Sequence, residues 1–266
     1  MSAPRLQPVR VRIAGCPLDV FSFAQAVNEL GLRVEQRRRT HVIFVNVFKI
    51  AEYHSNPRLQ EVMERADLLL PDGVPVLWAS ALLGTPLPER VAGTDLMQAL
   101  LELSALRNYR VFLLGGEENV ITRTVETLRG RYPTLQIAGY RNGYFSDADA
   151  DSVIETINAS NADLLFIGMS TPKKELWADA CLSRLTVPVC QGVGGSFDVI
   201  AGLTRRAPMW MQRSGLEWSY RLIQEPRRLW RRYLGSGAKV ASLLCHQLLA
   251  VWKTRVANLL KSPATS

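Results

Sequence analysis

Apolar residues recur along this chain in two rhythms. In the first, short stretches are apolar almost without interruption: "HVIFVNV", "DLLLP", "YRVFLLGG", "ADLLFIGM" and "VPVCQGVGG". Runs that short and apolar on both faces suit strands buried inside a parallel sheet. In the second, apolar positions return every three or four residues, as in "DVFSFAQAVNEL", "PRLQEVMERA", "TDLMQALLELSAL", "VITRTVETLRGRY", "ADADSVIETINAS" and "KKELWADACLSRL". That is the period of an amphipathic helix. "RVRIAG" and "LQIAGY" read as further strands. Asp19 is expected near the cap of the first helix, and Thr94 or Asp95 at the cap of "TDLMQ". The alternation predicts an α/β fold, a Rossmann-like sandwich with a parallel sheet. Ligands of such sheets bind beyond the carboxyl ends of the strands. The loops after Val47, Leu70, Leu114, Met169 and Gln191 are therefore the ones to inspect.

The texture changes after Gly202. "TRRAPMWMQRSGLEWSYRLIQEPRRLWRRYLGSG" mixes arginine with aromatic residues, and "AKVASLLCHQLLAVWKTRVANLL" is helical with an apolar stripe at Val240, Leu244, Leu248, Val251 and Leu259. The chain thus divides into a core, 1–203, and a helical basic C-terminal appendage, 204–266. The net charge of +8 follows this division. Residues 204–266 carry 12 Lys/Arg against 2 Asp/Glu, leaving the core with 20 basic and 22 acidic residues. A basic tail on a near-neutral body points to an anionic partner such as phosphate, nucleic acid or a membrane surface. No run of 18 apolar residues occurs, so no transmembrane helix is expected. "IAGC" resembles a lipoprotein cleavage box, but the charged "RLQPVRVR" before it is no apolar leader. Cys16, Cys181, Cys190 and Cys245 form no CxxC pair and read as buried thiols in a reducing cytoplasm.

Several motifs carry candidate chemistry. "LLGGEEN" (Gly115, Gly116) and "GVGGSFDVIAG" (Gly194, Gly195) place glycines between a strand and a helix, where amides approach a phosphate or simply allow tight packing. Neither matches GxGxxG, and no Walker motif is present. "SDADAD" sits just before a helix and reads as capping rather than as a metal-binding DxD. In "STPKKELW", Ser170 or Thr171 is expected to cap a helix. Lys173 and Lys174 oppose that helix's dipole, a local conflict that signals a contact with phosphate or carboxylate. Arg221, Arg228 and Arg231 fall on roughly one helical side, unless Pro226 breaks the helix. Asp72 in "LLLPDGVPV" either caps the next helix or stands as a carboxylate in a partly apolar pocket, where desolvation raises its proton affinity toward that of a general base.

The order "NVFKI … LLLPDGVPV … RVAGTDL … FLLGG … IGMSTPKKELW … GVGGSFDVIAG … RRAPMWMQRSGLEWSYRLIQEPRRLWRRY" resembles the WecG/TagA/CpsF family of bacterial glycosyltransferases over about residues 10–235. The resemblance implies a Rossmann-like core with an appendage that completes the active site and docks on the cytoplasmic face of the inner membrane. It implies metal-independent, cofactor-free, inverting transfer from a UDP-sugar to a polyprenyl-diphosphate-linked sugar. It assigns the catalytic base to Asp72 and diphosphate contacts to Arg221, Arg228 and Arg231. Asn46, Arg90, Asp95, Lys173, Lys174, Gly115, Gly116, Gly194, Gly195 and Asp198 fall in its motifs as substrate-binding candidates. Two positions depart from the family pattern. Phe44 stands where threonine is common, and Lys174 where glutamine is usual, both near the expected sugar pocket. They shift the expected donor toward glucose, as in exopolysaccharide synthesis, with an N-acetylmannosamine or its uronate as the alternative. Homo-oligomerisation is left open.

In this reading Asp72 deprotonates the acceptor hydroxyl while UDP leaves from the opposite face, and arginines stabilise the diphosphate charge. Rival readings are a nucleic-acid-binding module stacking bases on Trp210, Trp218 and Trp230, a dinucleotide enzyme, and an inactive membrane scaffold. The first two leave Asp72 or the absent GxGxxG unexplained, so no nucleic-acid partner is expected.

Overall fold

The computed structural model describes residues 9–224 and 226–261. Its centre is a six-stranded, wholly parallel sheet. The strands are β3 (Thr40–Val45), β4 (Leu68–Pro71), β5 (Arg110–Gly115), β6 (Gln136–Arg141), β7 (Leu164–Gly168) and β8 (Val189–Gly192), in the order β4-β3-β8-β7-β5-β6. A separate antiparallel hairpin, β1 (Arg10–Ile13) with β2 (Cys16–Asp19), precedes it. The helices are α1 (Phe23–Glu35), α2 (Val47–Tyr53), α3 (Pro57–Arg65), α4 (Val74–Leu82), α5 (Gly93–Arg107), α6 (Glu118–Arg131), α7 (Ala150–Ala159), α8 (Lys173–Cys181), α9 (Ser196–Ile200), α10 (Met209–Arg213), α11 (Glu217–Gln224) and α12 (Pro226–Lys261). The Rossmann-like arrangement expected from the alternation is present.

The two-residue period of the strands sorts their side chains into separate cores. Val42, Phe44, Leu68, Leu70, Leu113 and Phe166 face α1, α5, α6 and α9. Ile43, Val45 and Leu69 face α2, α3, α4, the β1–β2 hairpin and Val240 of α12. Leu114, Leu165, Ile167 and Cys190 face α7 and α8. Both faces are covered, which is why the runs are continuously apolar.

Four local expectations are corrected. Asp19 caps no helix. It is fully buried at the end of β2, where its carboxylate accepts from Arg10 Nε at 2.7 Å and from the Leu69 amide at 2.8 Å. That pairing fastens the hairpin to β4. The real cap of α1 is Ser22, which forms a reciprocal box with Gln25. Helix α5 starts at Gly93 without a side-chain cap, and Thr94 instead bonds Ser196 at 2.8 Å. Helix α8 likewise begins after Pro172 without a cap from Ser170 or Thr171. Asp149 of "SDADAD" accepts from the Ser146 amide and hydroxyl rather than from α7, closing the loop that leads into the helix.

The tail does not stand apart. Val240 is buried, and Leu243, Leu244 and Leu248 pack on the same cluster as α2 and the hairpin. Gln247 donates to the Arg12 carbonyl and Lys239 to Ser55. The part of the predicted stripe formed by Val240, Leu244 and Leu248 therefore faces protein. The Val251 and Leu259 side chains lie outside the described residues. No helix among the described residues is long and apolar enough to cross a membrane. Cys16, Cys181 and Cys190 are buried as expected, and burial pushes the Cys190 thiol up to about 12, but Cys245 is exposed.

His41 on β3 is fully enclosed beside α8, and burial depresses it to about 4, despite the opposing pull of Glu175, Asp179 and Asp67. A neutral histidine in the fold with an ordinary value near 6.5 when unfolded means that the unfolded chain binds the extra proton. Its stabilising contribution is complete above pH 6.5 and falls as the pH drops toward 4. Denaturant midpoints measured across pH 4–6.5 should fall on acidification, and His41→Gln should flatten that slope.

Candidate active site

The parallel pairing of β3 with β4 runs in register, with Phe44 opposite Leu70 and Val45 opposite Pro71. The next residues on each strand, Asn46 and Asp72, therefore leave the sheet side by side. The Asp72 amide donates to the Val45 carbonyl at 2.8 Å, continuing the ladder by one rung. Asn46 turns into α2 and caps it, its Oδ1 accepting from the Lys49 amide at 3.0 Å. Gly73 lies at φ +129°, a conformation only glycine tolerates easily, and a Cβ there would sit 3.8 Å from Asn46 Cβ. Helix α4 begins directly after this turn, with Gly73 as its N-cap residue. The half-buried Asp72 is thus held at the carboxyl edge of the sheet by its backbone.

Phe44 lies one residue inside this edge and points away from it. Its ring is buried in the α1–α5 core, within 3.1–3.3 Å of where a Cβ on Gly93 would be. Arg90 and Asp95 bracket the start of α5. The Val91 amide donates to the Pro71 carbonyl at 2.8 Å, which brings this segment against the Asp72 loop. Both side chains are ion-paired. Arg90 contacts Asp95 and Glu217, and Arg206 contacts Asp95 and Glu217.

The paired lysines of "STPKKELW" resolve differently from each other. Lys174 lies under Gly192, whose Cβ would come within 3.0 Å of its stem, and its ammonium is 3.0 Å from Glu175 Oε1. Lys49 of α2 contacts the same oxygen. Glu175 is nearly fully buried. Burial alone would raise its carboxyl, but Lys49 and Lys174 outweigh it and hold the group below the ordinary carboxylate range. The anion that excuses two lysines at a helix start is therefore, in part, an internal one. Lys173 turns the other way, toward the Gly143 carbonyl at 3.4 Å and over the Phe145 ring at 5.3 Å.

The two glycine loops are also unlike. Gly115 stands at φ +133°, and a Cβ on it would meet the Gly168 backbone at 2.5 Å; one on Gly168 would meet Phe197 at 2.3 Å. The Gly116 amide donates to Gly168 O and its carbonyl accepts from Gly143. This loop is committed to close packing. Gly194, by contrast, has open space on its Cβ side, and Gly195 has only Asp198 nearby, at 3.6 Å. Asp198 is half-buried at the start of the short α9, and its carbonyl accepts from Leu203 and Thr204. The backbones of Arg221, Arg228 and Arg231 are helical, on α11 and α12, but their side chains lie outside the described residues.

Sequence reasoning passed over Lys49, Glu175, Arg206 and Glu217. Each had a signal. Lys49 interrupts the apolar "NVFKIA", Glu175 follows two lysines, and Glu217 is one of two acids in a basic tail.

Comparison with known proteins adds three findings. The model of the glycosyl transferase WecG/TagA/CpsF family matches residues 11–254. A Bacillus spizizenii protein named N-acetylglucosaminyldiphosphoundecaprenol N-acetyl-beta-D-mannosaminyltransferase is 36% identical over 214 residues, covering 80% of this chain and 82% of the relative. A Bacillus subtilis protein of the same name is 37% identical over 174 residues, covering 65% and 67%.

The contrast between the glycine loops is testable by calorimetry and denaturation. Gly115→Ala should prevent stable folding, because backbone atoms block the new methyl. Gly194→Ala should cost only the left-handed backbone strain, about 1 kcal/mol.

Proposed function

The chain belongs to the WecG/TagA/CpsF family of glycosyltransferases, and from that premise we propose that it transfers N-acetylmannosamine from its UDP-sugar, with inversion, to a sugar carried on polyprenyl diphosphate. The observation supporting this most directly is the placement of Asp72 beside Asn46 at the carboxyl ends of β3 and β4. Both relatives above are named for that sugar and that acceptor type. Nothing in the comparisons supports glucose, the donor that Phe44 and Lys174 suggested. The buried setting of Phe44 removes half of that argument, since its ring faces the core.

The residues have separable tasks in this mechanism. Asp72 takes the acceptor hydroxyl's proton as that oxygen attacks the anomeric carbon from the face opposite the departing UDP. A base placed so typically contributes 10²–10⁴-fold. Asn46, Lys174 and the open Gly194–Gly195 turn border the space where donor and acceptor meet. Arg221, Arg228 and Arg231 of the appendage stabilise the diphosphate as it gains charge. The Lys49–Glu175–Lys174 cluster fixes α8 and α2 around that space, because breaking a buried pair leaves an uncompensated charge.

The appendage from about residue 204 also brings the enzyme to its lipid-linked acceptor at the inner membrane surface. The face available for this is not the α12 stripe packed on the core. Trp210 and Ile223 are 64% and 75% exposed, in a segment rich in arginine. Aromatic and basic residues together suit an anionic interface. Deleting the whole tail would strip cover from the core, so point substitutions test this more cleanly.

With a lipid-diphosphate N-acetylglucosamine acceptor, UDP-N-acetylmannosamine should give a β-linked product, identified by mass spectrometry and NMR. Transfer of glucose to a lipid-linked glucose, with no mannosaminyl product, would reassign the donor and leave the transferase class intact. Asp72→Asn should lower kcat by about 10²–10⁴ with both substrates still bound; near-normal turnover would remove Asp72 from the role of base. Trp210→Ser combined with Ile223→Ser should weaken sedimentation with anionic phospholipid vesicles while leaving the thermal midpoint unchanged.

A further inference from the structure

Four charged side chains from four segments meet beside the Asp72 loop. Arg206, in the stretch after α9, forks onto the Asp95 carboxylate, with Nη2 to Oδ2 at 2.9 Å and a shorter contact between Nη1 and Oδ1. Arg90 donates to Glu217 Oε2 at 3.0 Å and to Asp95 Oδ2 at 3.4 Å. Arg206 Nε completes the set, 3.5 Å from Glu217 Oε1. Each acid touches both arginines, so the four charges close a ring of alternating sign. Two members belong to residues 1–203 and two to the appendage. None is more than about a third exposed, which limits screening by water and salt.

The ring's location gives it more than a cohesive role. Arg90 precedes Val91, which bonds the carbonyl of Pro71, the neighbour of Asp72. A second contact lies close by. Gly215, at φ +76°, sits where a Cβ would come within 2.7 Å of Val74, two residues after Asp72. Glu217 is the first residue of α11, and Arg221 follows one turn later. Two fixed points, the ring and the Gly215–Val74 contact, therefore set where α11 lies against the loop that carries Asp72.

We propose that Arg206 and Glu217, paired with Arg90 and Asp95, are positioning residues that hold the appendage in register over the carboxyl end of β4. Arg90 and Asp95 then act on the reaction through the appendage. Their charges are used on Arg206 and Glu217, and the arginine rows of α11 and α12 inherit their placement from that docking. The catalytic half of this proposal rests on the glycosyl-transfer reading; the docking half does not.

The test uses the full-length chain carrying Arg206→Ala, with Arg206→Lys as a milder variant that keeps charge but loses the fork. Hydrogen exchange of the amides of residues 217–224 should quicken by about tenfold or more in Arg206→Ala, with β3 and β5 still protected and the thermal midpoint nearly unchanged. In turnover, kcat should fall about 10–100-fold, the scale of a misplacement of about 1 Å, with a smaller change in KM. Millimolar guanidinium should restore part of the lost kcat, and Arg206→Lys should lie between the two. Unchanged exchange at 217–224 would overturn the docking role. Quickened exchange with unchanged kcat would overturn the catalytic one. A general loss of protection without recovery by guanidinium would reduce the ring to an ordinary structural element. Exchange needs no substrate, so a failure of the transferase reading would show separately, as no turnover by the unaltered chain.

Discussion

The candidate site depends on the register of two parallel strands. Because β3 and β4 pair residue for residue to their last rung, Asn46 and Asp72 emerge as neighbours although 26 positions separate them in the chain. A slip of one residue would turn Val45 and Leu69 from one core to the other and bury a carboxylate among leucines. The apolar residues on both strand faces therefore specify the chemistry indirectly. They forbid every alignment except the one that presents both polar groups at the edge.

Around that edge the structure uses charge in two ways. Inside, Glu175 is clamped by Lys49 and Lys174, so that α2 and α8 are joined at the ends facing the site. Outside, the Arg90–Asp95–Arg206–Glu217 ring joins the core to the appendage. The first is nearly dry and intolerant of losing a partner. The second is partly solvated, so its value lies in orientation more than in stability.

The sheet, its parallel sense and the loop carrying Asp72 were legible because continuous apolar runs and turn residues act locally. What escaped was settled at a distance. Asp19 looked like a helix cap until Arg10 and the Leu69 amide claimed it. The Gly115–Gly116 pair looked equal to Gly194–Gly195, and only the approach of the Gly168 backbone separates a packing glycine from an open one. The stripe on α12 had the period of an interfacial helix, but periodicity does not say whether lipid or protein covers an apolar face. Arg90 and Asp95 were recognisable as important, while their partners lay more than 100 residues away.

The return of α12 to the hairpin has a consequence for the order of synthesis. Gln247 bonds the carbonyl of Arg12 across 235 positions of sequence. A ribosome delivers the chain from its amino end, so the face of the hairpin and α2 that α12 covers stays bare while the entire sheet is made. Closing so long a loop is entropically slow, and the apolar patch formed by the hairpin, α2 and α4 stays open to other chains until α12 arrives. The packing of α12 is therefore the step that covers this patch.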